Sequence, residues 1–144
     1  MYKSLAIKLS ERELITVDEN DQLLEAVKKL AKYNIGAIPV INSDKKLTEI
    51  ISERDIVKEL AKNEDMNYSI FFVHQLVAKK VICCESDVPS DKLMELMTKN
   101  KVRHIPIIDN SNHPIGMVSI GDVVNRLIEK IEYENKMLKD FVSG

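Results

Sequence analysis

Short apolar runs alternate with charged stretches along this chain, and two different periods govern them. Leu14-Ile15-Thr16-Val17 and Val81-Ile82-Cys83-Cys84 are compact runs rich in β-branched residues or cysteine, and they predict strands. Each is followed by a turn, Asp18-Glu19-Asn20-Asp21 or Glu85-Ser86-Asp87. Leu23, Ala26, Val27, Leu30 and Ala31 then recur at helical spacing, with Glu25 four residues before Lys29. The second such stretch has Pro89 near its first turn and continues through Leu93, Met94 and Met97. Next come Ala37-Ile38-Pro39-Val40-Ile41 and His104-Ile105-Pro106-Ile107-Ile108, strands whose proline cannot donate to a ladder and which should therefore lie at an edge or a bulge. Polar turns lead to a further strand, Leu47–Ile51 or Ile115–Val118, and a helix opens at Ser52 or Ser119.

The two series are one unit written twice. At a shift of 67 positions Ile15 falls on Ile82, Ile38-Pro39 on Ile105-Pro106, Ser52 on Ser119, Asp55 on Asp122, and Leu60 on Leu127. Leu9 lands on Leu76 as well. The chain divides into residues 1–65 and 66–144, each ordered strand, helix, strand, strand, helix. The expected fold is α+β (α/β), with the two units packed about a pseudo-two-fold axis because one alone would expose a large apolar face. The last stretch, with Val124, Leu127, Ile128, Ile131, Leu138 and Phe141, predicts an amphipathic helix extending past the repeat, toward a partner subunit.

Composition narrows the function. With 144 residues and 44% hydrophobic content, the chain can bury a core without metal or disulfide. A net charge of −2 provides no basic field for nucleic acid or anionic lipid. The start, Met1 to Lys8, lacks the apolar run of a signal peptide, and no stretch approaches a membrane span. Cys83 and Cys84 are adjacent and cannot bridge distant elements, which points to a reducing, cytoplasmic setting. They have no companions at metal-ligand spacing, so no metal is expected. No Gly-rich phosphate loop, nucleophile motif or metal-binding helix motif is present, so the chain does not read as an enzyme.

Chemistry concentrates at Ser52-Glu53-Arg54-Asp55 and Ser119-Ile120-Gly121-Asp122, where a strand ends and a helix begins. Free N–H groups and the positive dipole end suit a phosphate there, and a carboxylate beside them can accept both hydroxyls of a ribose. The same spacing is that of a capping box. Its doubling in register, beside a repeated Ile-Pro, favours a binding role.

Strand, helix, Ile-Pro strand and apolar-x-Ser-x-x-Asp, in tandem, resemble the cystathionine-β-synthase-type (CBS) domain pair, or Bateman module. Ser52-Glu53-Arg54-Asp55, Arg103-His104-Ile105-Pro106 and Val118-Ser119-Ile120-Gly121-Asp122 resemble a subgroup of stand-alone pairs. The resemblance implies two clefts for AMP, ADP, ATP, NAD or S-adenosylmethionine, AMP being the first choice. It implies that Asp55 and Asp122 hold ribose hydroxyls and that Ser52 and Ser119 face phosphate. Adenine would slot between Thr16 or Cys83 and Ile38-Pro39 or Ile105-Pro106, with Ala37 and His104 reading its edge. Arg54, Arg103 and His104 would meet phosphates. The family's usual glycine is present as Gly116, which should leave the backbone accessible, but is replaced by Glu49 in the first unit. The first unit also has Gly36-Ala37 where the second has Arg103-His104, so unequal clefts are expected. The resemblance further implies a homodimer formed through helices and an output in trans on a regulated protein. A pair without ligand, used for dimerisation or docking, and a small nucleotide-handling enzyme are the competing readings.

Overall fold

The computed structural model describes residues 4–65, 67, 70–76 and 81–143; residues 1–3, 66 and 144, at the ends of the two expected spans, lie outside them. In chain order the elements are α1 (Leu5–Ser10), β1 (Val17–Asp18), α2 (Leu23–Lys32), β2 (Ala37–Ile41), β3 (Leu47–Ser52) and α3 (Glu53–Lys62). A 3-10 turn (Val73–Gln75) precedes β4 (Cys84–Glu85), α4 (Ser90–Asn100), β5 (His104–Ile108), β6 (Pro114–Ser119) and α5 (Ile120–Ser143). Two three-stranded sheets, β1-β2-β3 and β4-β5-β6, give the α+β fold, each with one parallel and one antiparallel pairing.

The repetition extends to register. Ala37 pairs with Ser52 and His104 with Ser119, and each long pairing shifts at the same place, Val40/Ile41 and Ile107/Ile108. Left-handed backbone recurs as well: Asn34 and Lys101 end equivalent helices at φ 52° and 53°, and Lys45 and Asn112 turn equivalent hairpins at 63° and 65°.

The first strand of each unit is displaced and shorter than its apolar run predicts. Only Val17–Asp18 and Cys84–Glu85 pair, although the runs begin at Leu14 and Val81. β2 is the middle strand, so the Ile-Pro segment is not at the sheet's edge as a whole. Since β1 reaches only Val40 and Ile41, however, β2 has β3 alone beside it from Ala37 to Pro39. The proline lacks the donor a third strand would need there. Leu14 to Thr16 do not pair with β2.

Each core borrows from the other unit. One contains Val17, Leu23, Ile38, Val40 and Ile51 together with Val73 and Leu76. The other contains Cys84, Leu93, Ile105, Ile107 and Val118 together with Leu5, Ala6 and Leu9 of α1. The sequence pattern did not single out α1 as a helix. It is capped by Ser4, whose Oγ accepts from Ile7 N (3.2 Å) and donates to the Ser86 carbonyl (2.6 Å). Among the described residues no helix is long and apolar enough to cross a membrane.

Only the first two turns of α5 pack on the core. Its core-facing residues are Val123, Arg126 and the half-buried Leu127, and from Ile128 onward every described residue is exposed. It extends beyond the repeat, as its length suggested.

Candidate functional site

Both Ser-x-x-Asp segments form the capping box and leave part of it over. Ser52 N and Oγ donate to Asp55 Oδ2 (both 2.9 Å), and Asp55 N donates back to Ser52 Oγ (3.2 Å). Ser119 and Asp122 repeat this arrangement at the same distances. One carboxylate oxygen thus serves the helix N-terminus. The other oxygen of Asp122, Oδ1, faces the Arg12 guanidinium at 3.2 Å.

That ion pair lies in a cleft of about 330 Å³, within the range of small-molecule sites. Its walls come from both units: Ile15, Ile35, Gly36, Ala37 and Pro39 from the first, His104, Gly116, Met117, Ser119 and Asp122 from the second. The apolar wall is the stretch where β1 and β2 separate, so Ala37 presents β2 backbone with no third strand alongside. Asp122 and Ser119 are thereby joined to the Ala37-Pro39 segment of the other unit, and the cleft is a composite. Arg12, Ile15 and Gly36 were not among the binding residues expected from the sequence. Arg12 precedes the repeat's aligned core, and only the position of α1 brings it to Asp122.

The remaining candidates are distributed as follows. Ile38 and Ile105 are fully buried core residues. Thr16 offers its carbonyl to Lys29 Nζ (2.8 Å) and does not line the cleft. Arg103 is exposed, and its carbonyl receives Ile120 N (2.8 Å). Ser52, Asp55, Arg54, Cys83 and Pro106 do not line this cleft; Ser52, Asp55 and Pro106 are the repeat counterparts of Ser119, Asp122 and Pro39, which do. Arg12's sequence counterpart there, Lys79, lies outside the described residues.

Gly116 does not leave the backbone open. It is buried, and a Cβ there would meet Ser10 Cα at 3.1 Å and Ile107 Cδ1 at 3.0 Å, so the glycine lets the end of α1 lie against β6. At Gly36 a Cβ would meet His104 Cε1 at 3.2 Å, and the imidazole occupies the room that the missing side chain provides.

Electrostatics separate the two positions. Burial pushes the Glu49 carboxyl up, and Glu19 and Asp55 push it further. Glu49 is 8% exposed, and its Oε1 has no hydrogen-bond partner. Burial lowers His104, against the opposing pull of Glu53 and Asp122, so its ring favours the neutral form. The Cys84 thiol is pushed up to about 12 by burial and Cys83 is also raised, which makes both poor nucleophiles and poor metal ligands. Among the described residues no group of three His, Cys, Asp or Glu could hold a metal ion. His74 is exposed and stacks on Phe72, while His113 bridges Asp109 Oδ2 (3.3 Å) and the Asp44 carbonyl of the other unit (3.2 Å).

The CBS domain profile matches twice, at residues 6–62 and 73–129. The chain belongs to the CBS-domain family. This CBS pair is 31% identical over 115 residues to inosine-5'-monophosphate dehydrogenase of Methanocaldococcus jannaschii; the match takes in 80% of the chain but spans only 22% of that enzyme's length. Among solved structures, it is 33% identical to a "putative signal-transduction protein with CBS domains" from Burkholderia ambifaria, at a TM-score of 0.73, covering 82% of this chain and 85% of that one. It is 27% identical to a CBS domain pair solved in complex with 5'-methylthioadenosine and S-adenosyl-L-methionine, at a TM-score of 0.78, covering 90% and 99%. The adenosine-type ligands are those of that solved pair.

Proposed function

We propose that this CBS pair is a regulatory module that binds an adenine nucleotide, AMP first, with ADP, ATP and NAD as further candidates, in the cleft at Asp122. The observation that carries this reading is the division of labour at Asp122. Oδ2 caps α5, while Oδ1 stands in the cleft with a cation beside it. A ribose can bring two hydroxyls to that oxygen, and its base then reaches the apolar wall of Ile15, Ile35 and Pro39. The β2 backbone at Ala37 supplies the polar edge that distinguishes adenine. Ser119's hydroxyl proton already goes to Asp122, so Arg12 and His104 are the groups that a phosphate meets.

The module has no catalytic role in this reading and acts in trans on a partner protein, in the cytoplasm, where Cys83 and Cys84 stay free. It works as a homodimer through its helices, a reading supported by exposed apolar residues on α3 and α5, Val57, Val124 and Ile128.

The test is a melting-temperature panel of AMP, ADP, ATP, NAD, S-adenosylmethionine and GMP, repeated on Asp122→Asn. A ligand at 100 times its dissociation constant adds about 2.7 kcal/mol to stability. Adenine compounds should raise the melting temperature more than GMP, and Asp122→Asn should abolish most of the rise. No shift with any adenine compound at millimolar concentration returns the chain to the scaffold reading, and turnover of one would make it an enzyme.

A further inference from the structure

From Ile128 to Ser143, α5 continues for 16 residues with every side chain exposed, a rod about 24 Å long at 1.5 Å per residue. A helix of that length packed on nothing is marginal in water. Val124, Ile128, Ile131, Asn135, Leu138 and Val142 follow one another at spacings of four, three, four, three and four. This is the a/d alternation of a coiled coil, with Ile128, Asn135 and Val142 at a and Val124, Ile131 and Leu138 at d. Its apolar members are all exposed.

We propose that this seam pairs with the same seam of a second copy as a parallel, in-register two-stranded coiled coil; this deepens the homodimer reading above. Three features single out that occupant. β-branched residues at a with leucine at a d position favour two strands, and one asparagine at a favours a parallel pair in which it meets itself. In that register Glu134 (g) of one copy faces Lys139 (e) of the other, five positions on, and the pair repeats across the axis. The equivalent face of α3, Glu53, Val57 and Ala61, is much less apolar than Ile120, Val124 and Ile128, so like repeat meets like. At 100° per residue, Asp122, Arg126 and Glu129 lie on the opposite side of α5 from the seam, so dimerisation leaves the Asp122 cleft open.

The experiment is light scattering on the full chain at micromolar concentration, with mapping of a disulfide formed by Asn135→Cys under mild oxidation. A dimer linked 135 to 135 is expected, with Leu138→Asp giving a folded monomer by circular dichroism. Glu134→Lys alone and Lys139→Glu alone should each weaken dimerisation by about tenfold, and the double exchange should restore it. A monomeric wild-type chain overturns both this pairing and the homodimer reading. A dimer that survives Leu138→Asp, or that forms no 135–135 link, overturns the coiled coil alone.

Discussion

Leu9 and Leu76 occupy equivalent positions in the two repeats, and each is buried in the core of the other one. Leu9 packs with Ile105, Ile107 and Val118, and Leu76 with Ile38, Val40 and Ile51. Neither unit can therefore fold on its own span and keep its core closed. Leu9→Ala should cost about 3 kcal/mol, within the range for buried leucines. Melting monitored at both halves should fall as one transition. A Leu9→Ala protein that loses only the second unit, leaving the first at its original melting temperature, would show that the exchange does not couple them.

Arg12 and Asp122 give a test of the ligand's charge. If the ligand carries phosphate, Arg12→Ala should weaken AMP binding by about tenfold, the loss of one charge-assisted hydrogen bond at a partly exposed site. Adenosine affinity should change little or improve, because Asp122 Oδ1 is then released. Calorimetric titration with both compounds decides it. Equal losses for AMP and adenosine would assign Arg12 to shaping the cleft.

Asp122 and Asp55 hold equivalent caps, so either Asp→Ala exchange should lower the stability of the unliganded protein by about 1 kcal/mol. Affinity should distinguish them, with Asp122→Ala losing about one to two powers of ten and Asp55→Ala less. The asymmetry comes from Glu49, a buried carboxylate beside Asp55 where the second repeat has Gly116. Titration of both variants, with melts of the free proteins, checks this. A larger loss for Asp55→Ala would move the primary cleft.

Glu49 also makes a pH prediction. Its carboxyl is raised in the folded state, so folding favours the protonated form. The stability it allows is fully present below the unfolded value of 4.5 and is lost as pH rises through the folded value. At pH 7, well above the unfolded value, this burial costs stability, and Glu49→Gln should raise the melting temperature by a few degrees. The gain should shrink toward zero as the pH approaches 4.5, as melting curves across that range would show. A gain that stays constant with pH would mean that packing, not charge, is responsible.

Lys101 ends α4 at φ 53°, a conformation that costs a side chain but not glycine. Lys101→Gly should stabilise by up to about 1 kcal/mol, read by denaturant midpoint at unchanged slope. Lys45→Gly, at φ 63°, should act in the same direction. A loss of stability at both would show that the lysine side chains contribute contacts of greater value.

Apolar periodicity and the repeat were enough to predict two β-α-β-β-α units and the Ser-x-x-Asp helix starts. These are local matters: side-chain spacing, caps and a proline without a donor act within a few residues, so they can be read along the chain. The doubled Ser-Asp spacing marked a capping box in both repeats, and at Asp122 Oδ2 caps while Oδ1 is left to pair with Arg12. What only the tertiary structure decided is which distant segments meet. Leu9 aligned with Leu76 in sequence, yet nothing local says that each closes the opposite core. Because α1 crosses to the second unit, Arg12 arrives at Asp122, and Gly116 proves to be where Ser10 needs room. The cleft joins Ala37 and Pro39 of one repeat to Ser119 and Asp122 of the other because burying two apolar faces against each other brings non-equivalent edges together, and that pairing is written in shape, not in spacing.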